Sequence, residues 1–526
     1  KLHLMDLAER ALNNMHNSRA DNSFYLQLAM DFLLQAWLKE PFDGALASNL
    51  LTLNSKLTYL QSGLIPGLQT VAKYFFQPDD LRYYQRLAQK RDAQKTAHYI
   101  RSQINKNPKN FYWWNQLHIL ACFEHDWEMA SEVLIQDWPQ ELVFAKNKIS
   151  GDLACLKGNL EQAAQLYNQC DYNQNAELNF RCSNIQGLLG NWQAAEKGWK
   201  QCLELYPWLV NEVLCIYERL CVSAQPSPLT GKISILLFTY NKADELAITL
   251  QSLLDSNLGQ STIHVLNNAS SDHTEQVLHS FQQKTGKERL KYFSLPVNIG
   301  APAARNWLLS LSSVKNADWV LFMDDDATVA HDWLENLGQA VGRYPQAGVW
   351  GCRVLDAHTP HLMQSVDLHL QAAQEVQAEN GWQKKFELSD LHHQALDFGQ
   401  FSYVRPCISV TGCCHLFRAD YLLASQGFDL RFSPTQYDDL EFDIRNALKG
   451  GYAVYQGHAE IRHMKKSGKA SITSSADYSN SFANLYKLHQ KYTQEEYDRL
   501  MEQEAKILAE DFFPKAEQVR KALQIY

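Results

Sequence analysis

Three consecutive carboxylates, Asp324-Asp325-Asp326, follow directly on the apolar run Trp319-Val320-Leu321-Phe322-Met323. Adjacent carboxylates repel one another unless something positive lies among them. A hard divalent cation, Mg2+ or Mn2+, is the economical solution, because it takes oxygen ligands, keeps waters and binds substrate phosphates. A solvated acidic turn or a helix N-cap would explain a bare Asp run. The preceding strand is what favours a metal, since ligands of an open parallel sheet bind beyond the carboxyl ends of its strands. A second acidic group, Asp438-Asp439-Leu440-Glu441, lies further along. Two neighbouring carboxylates raise the pKa of one of them, which suits a general base near neutral pH. An acidic helix N-terminus favoured by the dipole is the plainer account, and both can hold at once. His458 and His463 come after the strand-like Tyr452-Ala453-Val454-Tyr455.

The elements that must position these groups begin after a Pro/Gly/Ser-rich break, Ala224 to Gly231. Ile233–Phe238, Ile263–Leu266, Leu290–Phe293 and Trp319–Met323 are short apolar runs, as expected of strands buried on both faces. Between them stand helical patterns: Leu246, Leu250, Leu253 and Leu254, then Val277–Phe281, then Ala303–Leu311. This alternation predicts an α/β domain with a mostly parallel, Rossmann-like sheet. Each strand ends in a polar segment: Thr239-Tyr240-Asn241, Asn267-Asn268-Ala269-Ser270-Ser271-Asp272, Asn298-Ile299-Gly300 leading to Arg305, and the Asp run. All four would meet at one sheet edge, and that agreement outweighs any single motif.

Residues 1–222 read as helices throughout, with apolar positions three and four apart, as in Leu26, Met30, Leu33 and Leu34. Part of this half repeats. Gly158-Asn159 is followed by Ala163 and Tyr167, and Gly190-Asn191 by Ala195 and Trp199, every pair offset by 32 residues. An earlier copy, Asp126-Trp127 with Ala130 and Leu134, is offset by about a further 33. A polar turn joins two helices, a small Ala lets them approach, and a bulky side chain fills the groove. The pattern resembles a degenerate tetratricopeptide array, whose concave face would dock an acceptor or a partner. Upstream of residue 112 the register is too faint to count units.

Bulk properties bound the alternatives. A chain of 526 residues predicts two or three domains. A formal charge of -9 argues against nucleic acid as the main partner. Eleven cysteines, without a Cys-x-x-Cys, read as a reducing, cytoplasmic setting. Cys413-Cys414 reads as small buried residues rather than a redox site. No apolar run is long enough for a transmembrane segment, and no apolar segment follows Lys1-Leu2-His3 as a signal peptide requires. The chain starts at Lys, which leaves room for an anchor upstream and for a peripheral place at the inner face of the membrane.

The strand-end motifs, with Leu321-Phe322-Met323-Asp324-Asp325-Asp326, Gly412, Phe417-Arg418, Gly427-Phe428-Asp429 and Asp438-Asp439-Leu440-Glu441 in that order, resemble the family 2 glycosyltransferases of GT-A fold. The resemblance implies a nucleotide-diphosphate sugar as donor and a protein or glycan hydroxyl as acceptor. It implies roles by position. Thr239 and Tyr240 would flank the nucleotide base, Asn268 would read its edge, and Arg305 would contact base or diphosphate. Asp324 and Asp325 would face the nucleoside, and Asp326 and His463 would hold the metal. Asp439, with Asp438 as second choice, would be the base of a single, inverting displacement, while Glu441 and Asp443 orient or cap. The family often has an acidic residue where this chain has Asn267 and Asn268, so the nucleobase stays open. Residues 356–405, rich in His and Gln and containing Trp382, read as an insertion where acceptor specificity would be built. Lys465-Lys466-Ser467-Gly468-Lys469 reads as a basic loop, either solvated or closing over the diphosphate.

These readings divide the chain into a helical-repeat domain (1–222), a linker (223–231), a catalytic domain (232–470) and a polar helical extension (471–526). The competing account is an interaction scaffold with a catalytically silent transferase domain, supported by the neutral Asn267-Asn268 pair. A nucleotidyltransferase would need a Gly-rich, basic phosphate loop after the first strand, and Thr239-Tyr240-Asn241-Lys242 is not one.

Overall fold

A computed structural model describes residues 2–17, 22–170, 175–222, 227–373, 383–389, 395–465 and 475–525. The chain divides into two units, Lys1–Leu209 with Leu523–Tyr526, and Val210–Ala522.

The second unit is built on one ten-stranded sheet. Its strands are β1 (Ile233–Thr239), β2 (Thr262–Asn267), β3 (Leu290–Ser294), β4 (Trp319–Met323), β5 (Ala327–Val329), β6 (Val349–Asp356), β7 (Met363–Ser365), β10 (Val404–Cys407), β11 (Cys414–Arg418) and β12 (Ala453–His463). The short pair β8 (Leu370–Gln371) and β9 (Glu387–Leu388) stands apart. The order is β10-β12-β6-β11-β4-β1-β2-β3, with β5 on β12 and β7 on β6. β3, β2, β1 and β4 run parallel, so Thr239, Asn267, Ser294 and Met323 end on one edge, as the alternation of elements predicts. The central strands carry Ile, Leu and Val on both faces and are buried on both.

Two features were not legible in the strand pattern. β11 enters antiparallel between β4 and β6, pairing Cys414 with Met323. β12 is eleven residues long, and its end pairs His463 with Ala327 of β5 and with Asp356 of β6. Both bring later parts of the chain beside the Asp run.

The unit also takes in more helix than the sequence boundaries suggest. The helix Val210–Leu220 belongs to it, because Glu218 forms a bidentate pair with Arg343 at 2.7 and 2.8 Å. The terminal helices Ser475–Lys491 and Gln494–Ala522 belong to it as well. Glu441, fully buried, accepts from Lys491 Nζ (2.5 Å), Tyr492 Oη (2.7 Å) and Arg445 Nε (3.1 Å).

Twelve α-helices are described in the first unit, from Leu2 to Leu205. The repeat resolves into helical hairpins, Phe111–Phe123 with Trp127–Leu134, Val143–Leu156 with Leu160–Tyr167, and Ala176–Leu188 with Trp192–Leu205. Each turn carries a residue of positive φ: His125, Gly158 and Gly190. Arg91 holds the same place before Asp92, in the hairpin Arg82–Gln89 and Ala93–Lys106, so the array extends one unit upstream of its sequence signal. Arg and Thr96 stand there in place of Gly and Ala, which hid the unit. Ala163, Tyr167, Ala195 and Trp199 are fully buried. Tyr167 Oη donates to Asp152 (2.7 Å) and Trp199 Nε1 to Asn184 (3.1 Å), equivalent bonds in successive hairpins.

One contact in the second unit makes a measurable prediction. His369 lies between Asp367 Oδ2 (2.7 Å) and Glu504 Oε1 (2.8 Å) of the last helix. Burial alone would lower the imidazole, but the two carboxylates more than offset it and raise His369 to about 9. A group raised in the folded state stabilises fully below its unfolded value near 6.5, and that contribution is lost as pH climbs through about 9. Equilibrium unfolding of the wild type, relative to His369→Gln, should lose roughly 3 kcal/mol across this window. Parallel curves for the two proteins would contradict the pairing.

Candidate active site

The acidic run leaves β4 at the edge predicted for it, and each carboxylate meets a different environment. Lys242, just beyond β1, places Nζ 3.0 Å from Asp325 Oδ1 and 2.8 Å from Asp326 Oδ2. His463 Nε2 lies 3.0 Å from Asp326 Oδ1 and 3.6 Å from Asp324 Oδ2. Burial pushes the Asp325 carboxyl up to about 6. Asp324 is likewise raised by burial, with Asp326 adding to it. Against its own burial, Asp326 is held well below the usual carboxylate range by His463 and Lys242. One ammonium and one imidazole thus stand against three carboxylates, which leaves room for a further cation.

His463 is oriented from behind. Its Nδ1 is 2.9 Å from Gln364 Oε1 of β7. Gln364 Nε2 donates to Asp356 Oδ2 (3.1 Å), so its carbonyl end faces the imidazole. Gln364 Oε1 therefore accepts the Nδ1 proton and leaves Nε2 facing Asp326, to which its N–H donates; once deprotonated, the same Nε2 is oriented as a metal-binding histidine requires.

The two acidic motifs meet across Gly412-Cys413, at the start of β11. Asp324 N–H donates to the Cys413 carbonyl (3.1 Å), and Gly412 N–H donates to Asp439 Oδ2 (2.8 Å). A Cβ on Gly412 would lie 2.7 Å from that carboxylate oxygen and 3.0 Å from Arg305 Nη2, so a side chain there would push both groups aside. Asp438 and Asp439 open the helix Asp438–Leu448, as its acidic first turn predicts. Asp438 is buried against the Arg305 guanidinium, whereas Asp439 is only half-buried. Burial raises the Asp438 carboxyl, with Asp439 adding and Arg305 opposing. Arg305 feels Asp438, Asp439 and Asp324 together. Glu441 and Asp443 are fully buried; Asp443 accepts from Ser409 Oγ (2.6 Å) and faces His415 Nε2 (3.2 Å).

Several of the expected residues make bonds within the protein. Arg305 is enclosed by the rings of Phe238, Phe322 and Phe428, and its charge is engaged by Asp438. Asn268 is buried, donating to Asn298 Oδ1 (3.0 Å) and accepting from Ile299 N–H (3.0 Å). Asn267 accepts from Ser270 N–H (2.9 Å) and donates to Glu275 (3.1 Å). The two amides tie the strand-end loops together. Thr239 is buried at the end of β1, and Tyr240 beyond it is half-exposed. Trp382 and Lys466–Lys469 lie outside the described residues. Lys242, Gln364 and Cys413 were missed. Only Lys242, next to Thr239-Tyr240-Asn241, carried a signal in the sequence.

A metal would find its donors here. Oxygen of Asp324, Sγ of Cys413 and nitrogen of His463 lie within 4.8 Å of one another. Asp326 adds a fourth donor beside His463.

Residues 234–422 match the model of Glycosyl transferase family 2. The O-antigen biosynthesis protein RfbC of Myxococcus xanthus is 26% identical over 263 residues, 48% of this chain and 19% of that protein. The poly-beta-1,6-N-acetyl-D-glucosamine synthase of Staphylococcus epidermidis is 26% identical over 132 residues, 24% of this chain and 30% of that protein. The chain thus spans less than a third of the length of these curated relatives. Among solved structures, a mannosyltransferase of Pyrobaculum calidifontis in complex with GDP-Man and Mn2+ is 16% identical, with a TM-score of 0.39, covering 66% of this chain and 87% of that one. The matched segment is a glycosyltransferase domain. Asp438, Asp439 and His463 lie beyond it in sequence, and the fold brings them to the same edge.

The buried Arg305–Asp438 pair can be tested directly. Removing one partner of such a pair strands the other charge and costs about 3–5 kcal/mol. Chemical denaturation of Arg305→Ala should show that loss, and Arg305→Ala/Asp438→Asn should recover part of it. A single-variant loss within experimental error would show that the pair is not needed.

Proposed function

We propose that the second unit transfers a sugar from a nucleotide-diphosphate donor to an acceptor hydroxyl, by a single inverting displacement that requires Mn2+ or Mg2+. The observation that carries this reading is the convergence of the Asp run, His463 and the Asp438-Asp439 pair on Gly412-Cys413. Asp326 and His463, with Asp324 at hand, suit a divalent cation, because carboxylate and imidazole donors stand together where positive charge falls short. The bound ion would offset the charge of the departing diphosphate. Tyr240 and Thr239 border the nucleoside, and Asp324 and Asp325 face it. Lys242 is within reach of the same phosphates once a cation takes over its carboxylates.

Asp439 acts as the base. It is the more accessible of the acidic pair, and Gly412 and Leu440 N–H fix its carboxylate. As the acceptor oxygen bonds to the anomeric carbon, its proton passes to Asp439 and the bond to the diphosphate breaks. Asp438 and Arg305 position this base rather than touch substrate. Asn268 serves the pocket by holding the Asn298 loop.

The first unit docks the acceptor, a protein such as a surface-appendage subunit or a partner in glycan assembly. The repeated hairpins support this, since stacked helical pairs present an extended face, as in tetratricopeptide arrays. Among the described residues no helix is long and apolar enough to cross a membrane.

A panel of nucleotide sugars, scored for Mn2+-dependent hydrolysis, identifies the donor. Asp326→Ala should abolish metal-dependent turnover, and Asp439→Asn should lower kcat roughly 10²- to 10⁴-fold with donor binding retained. Near wild-type turnover in either variant overturns that residue's role. Failure of any nucleoside diphosphate to bind, with or without Mn2+, would favour a scaffold over an enzyme.

A further inference from the structure

Cys413 has no part in the reaction above, yet its sulfur faces the donor site. We propose that Asp324, Cys413 and His463 form a mixed oxygen, sulfur and nitrogen metal site, whose thiol arm directs it to zinc-class ions. The inference rests on the metal-bearing donor site just proposed and deepens it.

The arrangement comes from strand pairing. β11 runs antiparallel to β4, and the Asp324 N–H···O=C Cys413 bond extends that ladder by one residue. Residues opposite each other in such a pair point to the same face, with Cβ atoms about 5 Å apart. The end of β12 brings His463 to the third corner. Asp324 is the open side, with its side chain 31% exposed, while Cys413 and His463 are buried. Ions therefore enter past the carboxylate and reach the thiol last.

The donor atoms lie within 4.8 Å of one another. A four-coordinate zinc site holds its donors about 3.5 Å apart, so closure needs side-chain movement of about 1 Å. The chemistry selects among metals. Oxygen donors alone suit Mg2+ and Mn2+, and a thiolate shifts preference toward Zn2+ and Co2+. As the sulfur–metal bond forms, the Cys413 S–H proton leaves to solvent and the metal keeps its charge and oxidation state. Gln364 holds His463 with Nε2 toward the site, and as the nitrogen–metal bond forms the proton that Nε2 shares with Asp326 also leaves to solvent. Cys414, the next residue, sits one position into β11 and therefore points to the opposite face of the sheet.

Cobalt is the probe, because sulfur-to-cobalt charge transfer reports thiolate ligation independently of turnover. Full-length wild type and Cys414→Ser should develop this near-ultraviolet band on titration with Co2+, and Cys413→Ser should not. By calorimetry, Cys413→Ser should weaken Zn2+ about tenfold or more and leave Mn2+ within about twofold. Co2+ binding without the band in the wild type overturns the sulfur ligand and leaves the donor site standing. Absence of any Co2+ or Mn2+ binding overturns both. Where Cys413→Ser fails to fold, Asp324→Ala takes its place and should need about tenfold more Co2+ or beyond to develop the band; a band unchanged in Asp324→Ala overturns the site, because ten other cysteines are free.

Discussion

The antiparallel entry of β11 beside β4 is the contact on which the rest of the site depends. It sets Gly412-Cys413 between two acidic groups that lie far apart in the chain. The Cys413 carbonyl accepts from Asp324 N–H, and Gly412 N–H donates to Asp439. A shift of one residue would turn every side chain of β11 to the other face and separate the two groups. Gly412 is held at this point by space, since a side chain would strike both Asp439 and Arg305.

Around that contact the protein manages an excess of negative charge. Five carboxylates, Asp324 to Asp326 and Asp438-Asp439, share one edge with Lys242, Arg305 and His463. The cations are not interchangeable. Arg305 is buried among three phenylalanine rings and committed to Asp438, a structural charge. Lys242 is partly exposed and bridges Asp325 and Asp326, so its partners can change when a ligand arrives. His463, steered by Gln364, turns Nε2 toward Asp326. Structural pairing and chemical opportunity thus sit side by side, separated by exposure.

Support for the site comes from segments that carry no motif. β7, in the insertion after β6, supplies Gln364. The helices after residue 475 supply Lys491 and Tyr492 to Glu441 and Glu504 to His369, so the helix bearing Asp439 and the insertion are fastened by the end of the unit. This explains why Glu441, an acidic neighbour of Asp439, is fully buried and bonded elsewhere.

Local patterns determined much of this protein in advance. Runs of branched residues made β1 to β4, polar clusters marked their ends, and a spacing of 32 residues marked the helical hairpins. An Asp run after a buried strand located the edge where the acidic groups gather. Those signals are local, so they survive without a structure. The Arg91 hairpin escaped because Arg and Thr fill places that Gly and Ala mark elsewhere. The roles of Asn268 and Arg305 could not be read from type alone. Either residue can face a ligand or a neighbour, and in the fold each has a neighbour, Asn298 for Asn268 and Asp438 for Arg305. Gln364 and Cys413 joined the site only through long-range strand pairing, because the register of β11 on β4, of β12 on β5 and of β7 on β6 is a property of the folded sheet and of no single segment.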